Sequence, residues 1–137
     1  MAELFSEVGP ISDATTSDVR VEVLSRPAPE HSNPSQGVWV FEYTVRITNL
    51  GDAKVQLISR HWIITDAADN IKEVKGPGVV GHQPLLAKGE SFKYSSWCKL
   101  ETPTGTMRGT YQMVGEDQGE FDIEIAPFAL KAKYTIH

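Results

Sequence analysis

Three glycines at fixed spacing, Gly76-x-Gly78-x-x-Gly81, are the residues in this chain whose pattern most directly suggests chemistry. Backbone N–H groups of such a stretch can line up into a nest that takes an anion. His82 follows at once, Lys72 and Lys75 stand just before, and Arg60-His61-Trp62 lies upstream. The spacing also matches the dinucleotide fingerprint, which works because a strand feeds a turn that opens a helix facing the pyrophosphate. Here Pro84 comes next and no helical period follows, so the fingerprint lacks its context. Two readings remain for the glycines. One is a wide turn that needs positive φ. The other is a phosphate-binding nest in which Gly76, Gly78 and Gly81 offer N–H groups and Arg60, Lys72 or Lys75 the charge.

Other chemistries find less footing. The histidines are His31, His61, His82 and His137, with no paired spacing such as His-x-x-x-His, and three or four converging ligands are what a metal site needs. Cys98 falls on the inward phase of a strand, where a thiol is packing. No Gly-x-Ser-x-Gly elbow occurs, and Glu116-Asp117 reads as a solvated hairpin tip. The sequence therefore predicts no catalytic residue, no metal and no cofactor.

Charge narrows the partners. The net charge is −5, which argues against binding nucleic acid through the whole surface. Residues 54–99 nevertheless hold seven Lys/Arg against four acids, a balance of +3, while the remainder holds six against fourteen, a balance of −8. Such asymmetry can steer an anion to the middle segment. No apolar run approaches the length of a membrane span, and the acidic start, with Glu3 and Glu7, is unlike a signal peptide. With a single cysteine, these features predict a cytoplasmic protein that binds neither membrane nor nucleic acid.

The elements that position these residues read as strands. Val19, Val21 and Val23 alternate with polar residues, and so do Trp39, Phe41, Tyr43, Val45 and Ile47. Between them, Arg26–Ser35 carries three prolines and reads as an exposed loop. Further strands are expected at Val55–Thr65, Ile71–Lys75, Ser91–Leu100, Met107–Met113 and Phe121–Ile125, with Pro127 ending the last. Turn residues punctuate the chain throughout. The pattern predicts an all-β antiparallel two-sheet sandwich, immunoglobulin-like, with seven or more strands; an up-and-down barrel is the alternative. The domain is expected over 18–130, preceded by a loosely ordered leader, 1–17, and followed by a tail, 131–137. Tyr111 reads either as a tyrosine corner or as a core residue. Trp62 and Trp97 interrupt polar faces, as interface anchors do, unless leader or tail covers them.

The run Val55–Asp66 with its Arg60-His61-Trp62, the loop Gly76–Leu86, Gly89–Tyr94 and Met107–Met113 together resemble the ApaG family, from about Val19 to Leu130. The resemblance implies a fibronectin type III-like sandwich. It implies protein–protein contact, since the same domain is appended to certain eukaryotic F-box proteins, and an association of bacterial members with cobalt resistance and magnesium efflux. Its glycine motif falls on Gly76, Gly78 and Gly81. The chain departs from the family at Pro77, where an acidic residue is commoner, and at Trp97, where a small one is usual. The expectation is a non-catalytic domain that binds a protein through the glycine loop and the Arg60–Trp62 strand. A phosphate-containing small molecule is the alternative ligand, and sheet edges offer a route to a homodimer.

Overall fold

The computed structural model describes residues 9–132, so the first eight residues of the expected leader and the last five of the expected tail lie outside it. Within that range two antiparallel sheets face each other. One has the order β1-β2-β3-β7, from Ser12–Thr16, Val19–Pro27, Trp39–Asn49 and Ser91–Leu100. The other has the order β5-β4-β8-β9, from Ile71–Pro77, Val55–Asp66, Thr104–Gly115 and Gly119–Lys131. A two-residue strand, β6 (Leu85–Leu86), also pairs with β4. This is the expected sandwich, and the barrel alternative is excluded by the separation into two sheets.

The alternating residues meet between the layers. Val19, Val21 and Val23 from β2, and Phe41, Tyr43, Val45 and Ile47 from β3, oppose Leu57, Trp62, Met107, Tyr111, Met113, Ile123 and Ile125. Each of the larger side chains contributes roughly 1.5–3 kcal/mol by leaving water. Trp62 sits at the centre, with the rings of Tyr43, Phe128 and Tyr111 edge-on to it at 5.2, 6.1 and 6.3 Å. Tyr111 lies in mid-strand, fully buried, its hydroxyl paired with that of Tyr94. It is therefore a core tyrosine and not a corner.

Three expectations change. Ser12–Thr16, placed in the leader, is strand β1, joined to β2 by a two-residue turn with positive φ at Ser17 and Asp18. Its polar sequence hid it, because this edge strand needs no apolar alternation. It is held by backbone pairing, by Ser12 Oγ donating to the Ala126 carbonyl (2.6 Å) and by Thr16 Oγ1 accepting from the Glu124 N–H (3.2 Å). Pro127 does not end the last strand, which runs on to Lys131. The register slips between Met107 and Gly109, leaving an extra residue beside Pro127 on a strand at the sheet's edge, where a missing N–H costs no ladder bond.

The third change matters most for the site. The pairing of β4 with β8 shifts between Leu57 and Ser59, a β-bulge at Ile58. Val55 and Leu57 point inward before it, and Trp62 points inward after it, so the side-chain phase reverses within one strand. Trp62, read from sequence as a surface anchor, is consequently 2 % exposed, and its indole N–H has no acceptor among the described residues. Trp62→Ala is expected to cost about 3–5 kcal/mol in denaturant unfolding. Trp62→Phe, which also removes the orphan N–H, should cost less than half of that.

Candidate functional site

The bulge divides the Arg60-His61-Trp62 run. Arg60 follows Trp62 to the inner side, at the rim of the sandwich, while His61 faces out. Arg60 stands opposite Gly76 in the β4–β5 ladder, and its Nη1 donates to the carbonyls of Pro77 (3.0 Å) and Gly78 (2.9 Å). A Cβ on Gly76 would lie 3.0–3.1 Å from that guanidinium, so the missing side chain is the space the arginine occupies. The arginine therefore holds the start of the glycine loop, and its charge is also felt by the buried phenols of Tyr43, Tyr94 and Tyr111.

Beyond that clamp the loop folds into a tight hairpin. Val79 and His82 exchange backbone bonds, N–H to carbonyl, at 2.8 and 2.9 Å around Val80-Gly81. Both central residues have positive φ, +49° and +81°, as a type I′ turn demands. Gly81 meets that demand without strain. Val80 does not, since a β-branched side chain in the left-handed region is a true outlier. Gly78 (φ +62°) is fixed twice over, because a Cβ there would meet the His82 carbonyl oxygen at 2.4 Å. Val79 is fully buried and plugs the loop into the core, while the His82 ring packs 5.5 Å from Phe92 of the facing sheet. The loop is a rigid bridge across the end of the sandwich.

This geometry redistributes the nest's donors. The Gly78 N–H donates to the Ile58 carbonyl (2.8 Å) and the Val79 N–H to His82, both inside the protein. Among the described residues no acceptor takes the N–H of Val80 or Gly81. Lys72 is not part of the loop's surroundings, for it pairs with Ile64 and lines a separate cavity with Asp66, Lys99 and Glu101.

On the outer face, a shallow groove of about 490 Å³ runs beside the loop, lined by Ile58, His61, Lys75, Pro77, Gln83 and Gln112 among others. His61 Nε2–H donates to the Glu73 carboxylate (2.7 Å), whose pKa is lowered first by that hydrogen bond. Ser59 Oγ donates to Gln112, whose amide in turn donates to Thr110. The Gln83 side-chain amide donates to the Ile58 carbonyl at 2.9 Å, the same oxygen that accepts from the Gly78 N–H. Two residues before Ile58 along β4, Leu85 and Val114 flank Gln56 in a lateral row, 58 % and 38 % exposed. The sequence pointed to Arg60, His61, Lys75 and Gly76 here. It did not point to Ile58, Gln83, Gln112 or Glu73, and only the shift of apolar positions from odd to even numbers in β4 could have revealed the bulge that assembles them.

Elsewhere, Cys98 is buried at the inner face, and burial pushes its thiol up to about 11. Among the described residues no three His, Cys, Asp or Glu side chains converge as a metal cage, and no helix is long and apolar enough to cross a membrane.

Residues 29–115 match the model of the ApaG domain. The chain belongs to the ApaG family. It is 57% identical over 120 residues to Protein ApaG of Bordetella pertussis, covering 88% of this chain and 92% of that protein. Its identity to Protein ApaG of Ralstonia nicotianae is 51%, over 88% and 97%. The crystal structure of an ApaA protein from Bordetella pertussis superposes with a TM-score of 0.83 at 55% identity, over 89% of this chain and 99% of that one. The C-terminal domain of Wzt, at 5% identity and a TM-score of 0.55, shares the fold alone. The glycine loop and the groove both lie within the ApaG-domain match.

Replacing Val80 by Asn, the residue a type I′ turn prefers at that position, should raise stability by about 1 kcal/mol. Gly78→Ala should lower it by about 2 kcal/mol or more. Thermal or urea unfolding of the two variants measures both.

Proposed function

We propose that this ApaG-family chain is a non-catalytic interaction domain that binds a segment of another protein along the glycine turn and the neighbouring groove. The observation that carries the reading is the combination at the loop of apolar exposure and backbone strain. Val80 and Leu85 are each 58 % exposed, and Val80 keeps a left-handed backbone that costs about 1–2 kcal/mol. A residue that weakens its own turn while presenting an apolar side chain to water suits contact with a partner. The groove adds amide and hydroxyl groups from Gln83, Gln112 and Ser59, chemistry that pairs with a peptide backbone. The rigid loop means little ordering entropy is lost on binding.

A test is affinity capture from the native host with matched variants. A protein retained by the natural chain should be lost with Val80→Asn and with Leu85→Glu. It should be kept by Ile71→Glu, at the far end of β5, where Ile71 is 64 % exposed. Equal capture by all four chains would sink the reading.

A second reading is supported by one feature, the two N–H groups at Val80 and Gly81 that no acceptor among the described residues takes, with Lys75 in the groove. They suit a phosphate-containing small molecule. Titration with pyrophosphate or a dinucleoside polyphosphate should then move the amide signals of Val80 and Gly81 far more than that of Gly78, whose N–H is already used. Unmoved signals at all three dismiss it.

A further inference from the structure

The sandwich has four outer edges, and three are blunted. Strand β1 is only five residues long. Strand β9 is broken by the bulge at Pro127. Strand β5 carries Lys72, Glu73 and Lys75 and runs into Gly76-Pro77. These are the usual devices against edge-to-edge pairing. Strand β7 has fewer. It is ten residues long, contains neither proline nor glycine, and pairs with β3 without any register shift from Ser91 to Leu100. On its outward phase stand Ser91, Lys93, Ser95, Trp97 and Lys99. Trp97 has the His31 ring edge-on at 4.9 Å and the Arg26 guanidinium 6.0 Å from its own ring, so the Pro-rich segment covers it in part, and it is still 50 % exposed.

We propose that β7 pairs antiparallel with β7 of a second copy about a two-fold axis at Ser95. The charges select this register. Centred on Ser95, Ser91 lies opposite Lys99 and Lys93 opposite Trp97 of the second copy, so no like charges stand directly opposite. Each Lys93 stem meets the part of the indole left open beside Arg26, whose own charge is paired with Glu30 and Glu42. Centred one residue later, Lys93 would face Lys99 of the other copy, which is repulsive. Centred one residue earlier, Lys99 falls outside the ladder and the pairing shortens. On the inner face the chosen register sets Tyr94 against Ser96 and Phe92 against Cys98. The four-stranded sheets of the two copies then form one continuous sheet of eight. The proposal does not rest on the proposed function of the glycine loop, although His82 of that loop packs against Phe92 of β7.

Sedimentation equilibrium of the full chain tests it. Because edge pairing buries little area, the association is weak. The average mass should rise from 15.1 kDa toward twice that, with half-conversion at on the order of 10–100 µM. Ser95→Lys, which faces itself across the axis, and Trp97→Lys, which faces Lys93, should each weaken association about tenfold. Trp97→Glu, which gives Lys93 an opposite charge, should retain it. Far-UV circular dichroism and the thermal midpoint establish that each variant is folded. A mass of 15.1 kDa at every concentration to about 1 mM overturns the proposal. So does a dimer indifferent to the sign of the charge at position 97.

Discussion

One extra residue in β4 governs the arrangement of the whole molecule. A strand without the bulge at Ile58 would carry the phase of Val55 and Leu57 forward, turning His61 and Ile63 inward and Trp62 out to water. The bulge reverses that phase in mid-strand. Above it the indole fills the gap between the sheets; beside it Arg60 reaches the rim and binds the loop carbonyls; at the bulge itself the Ile58 carbonyl accepts from both the Gly78 N–H and the Gln83 side chain. Core, loop and groove are consequences of the same slip. Bulges near functional surfaces commonly re-aim side chains in this way.

The loop itself is more restrained than its composition suggests. Three glycines and a proline in six residues usually signal freedom, yet here the polar groups on either side of the Val80-Gly81 tip are engaged. Arg60 binds two carbonyls, the core receives Val79, and the turn closes on itself at His82. Glycine serves geometry in this loop: one gives way to a guanidinium, one to a carbonyl oxygen, one to a left-handed turn. Val80 is the exception that the local energetics do not favour. An Asn at that position would relieve the turn, so the valine side chain is kept at a cost to the fold.

Much of this was legible in the sequence, for a physical reason. Strand period is two, and burial of one face imposes it on the letters, so the β3 run from Trp39 to Ile47 announces itself. Ser12–Thr16 did not, because an edge strand held by backbone and hydroxyl bonds leaves no apolar signature. Pro127 misled, since proline ends a strand only where its N–H is wanted. Trp62 misled most. Assigning it required knowing where the period slips, and a bulge adds one residue without marking it. The glycine spacing did locate the loop, but the partners of its N–H groups are set by Ile58 and His82, residues that the spacing does not mention.

The positive balance of residues 54–99 shows how far a linear charge count can depart from a field. Arg60 is spent on the loop carbonyls, and Lys88 pairs with Asp52 at 2.8 Å. Lys72 lies at another cavity and Lys93 and Lys99 on the opposite sheet, which leaves Lys75 beside the already engaged Arg60 at the groove. The segment's cations are dispersed around the sandwich, so the focusing that would draw an anion to the glycine turn is weak. What is concentrated there is apolar exposure on a rigid support. A surface of that kind gains from excluding water and loses little entropy in doing so, which favours a protein segment over a small charged ligand.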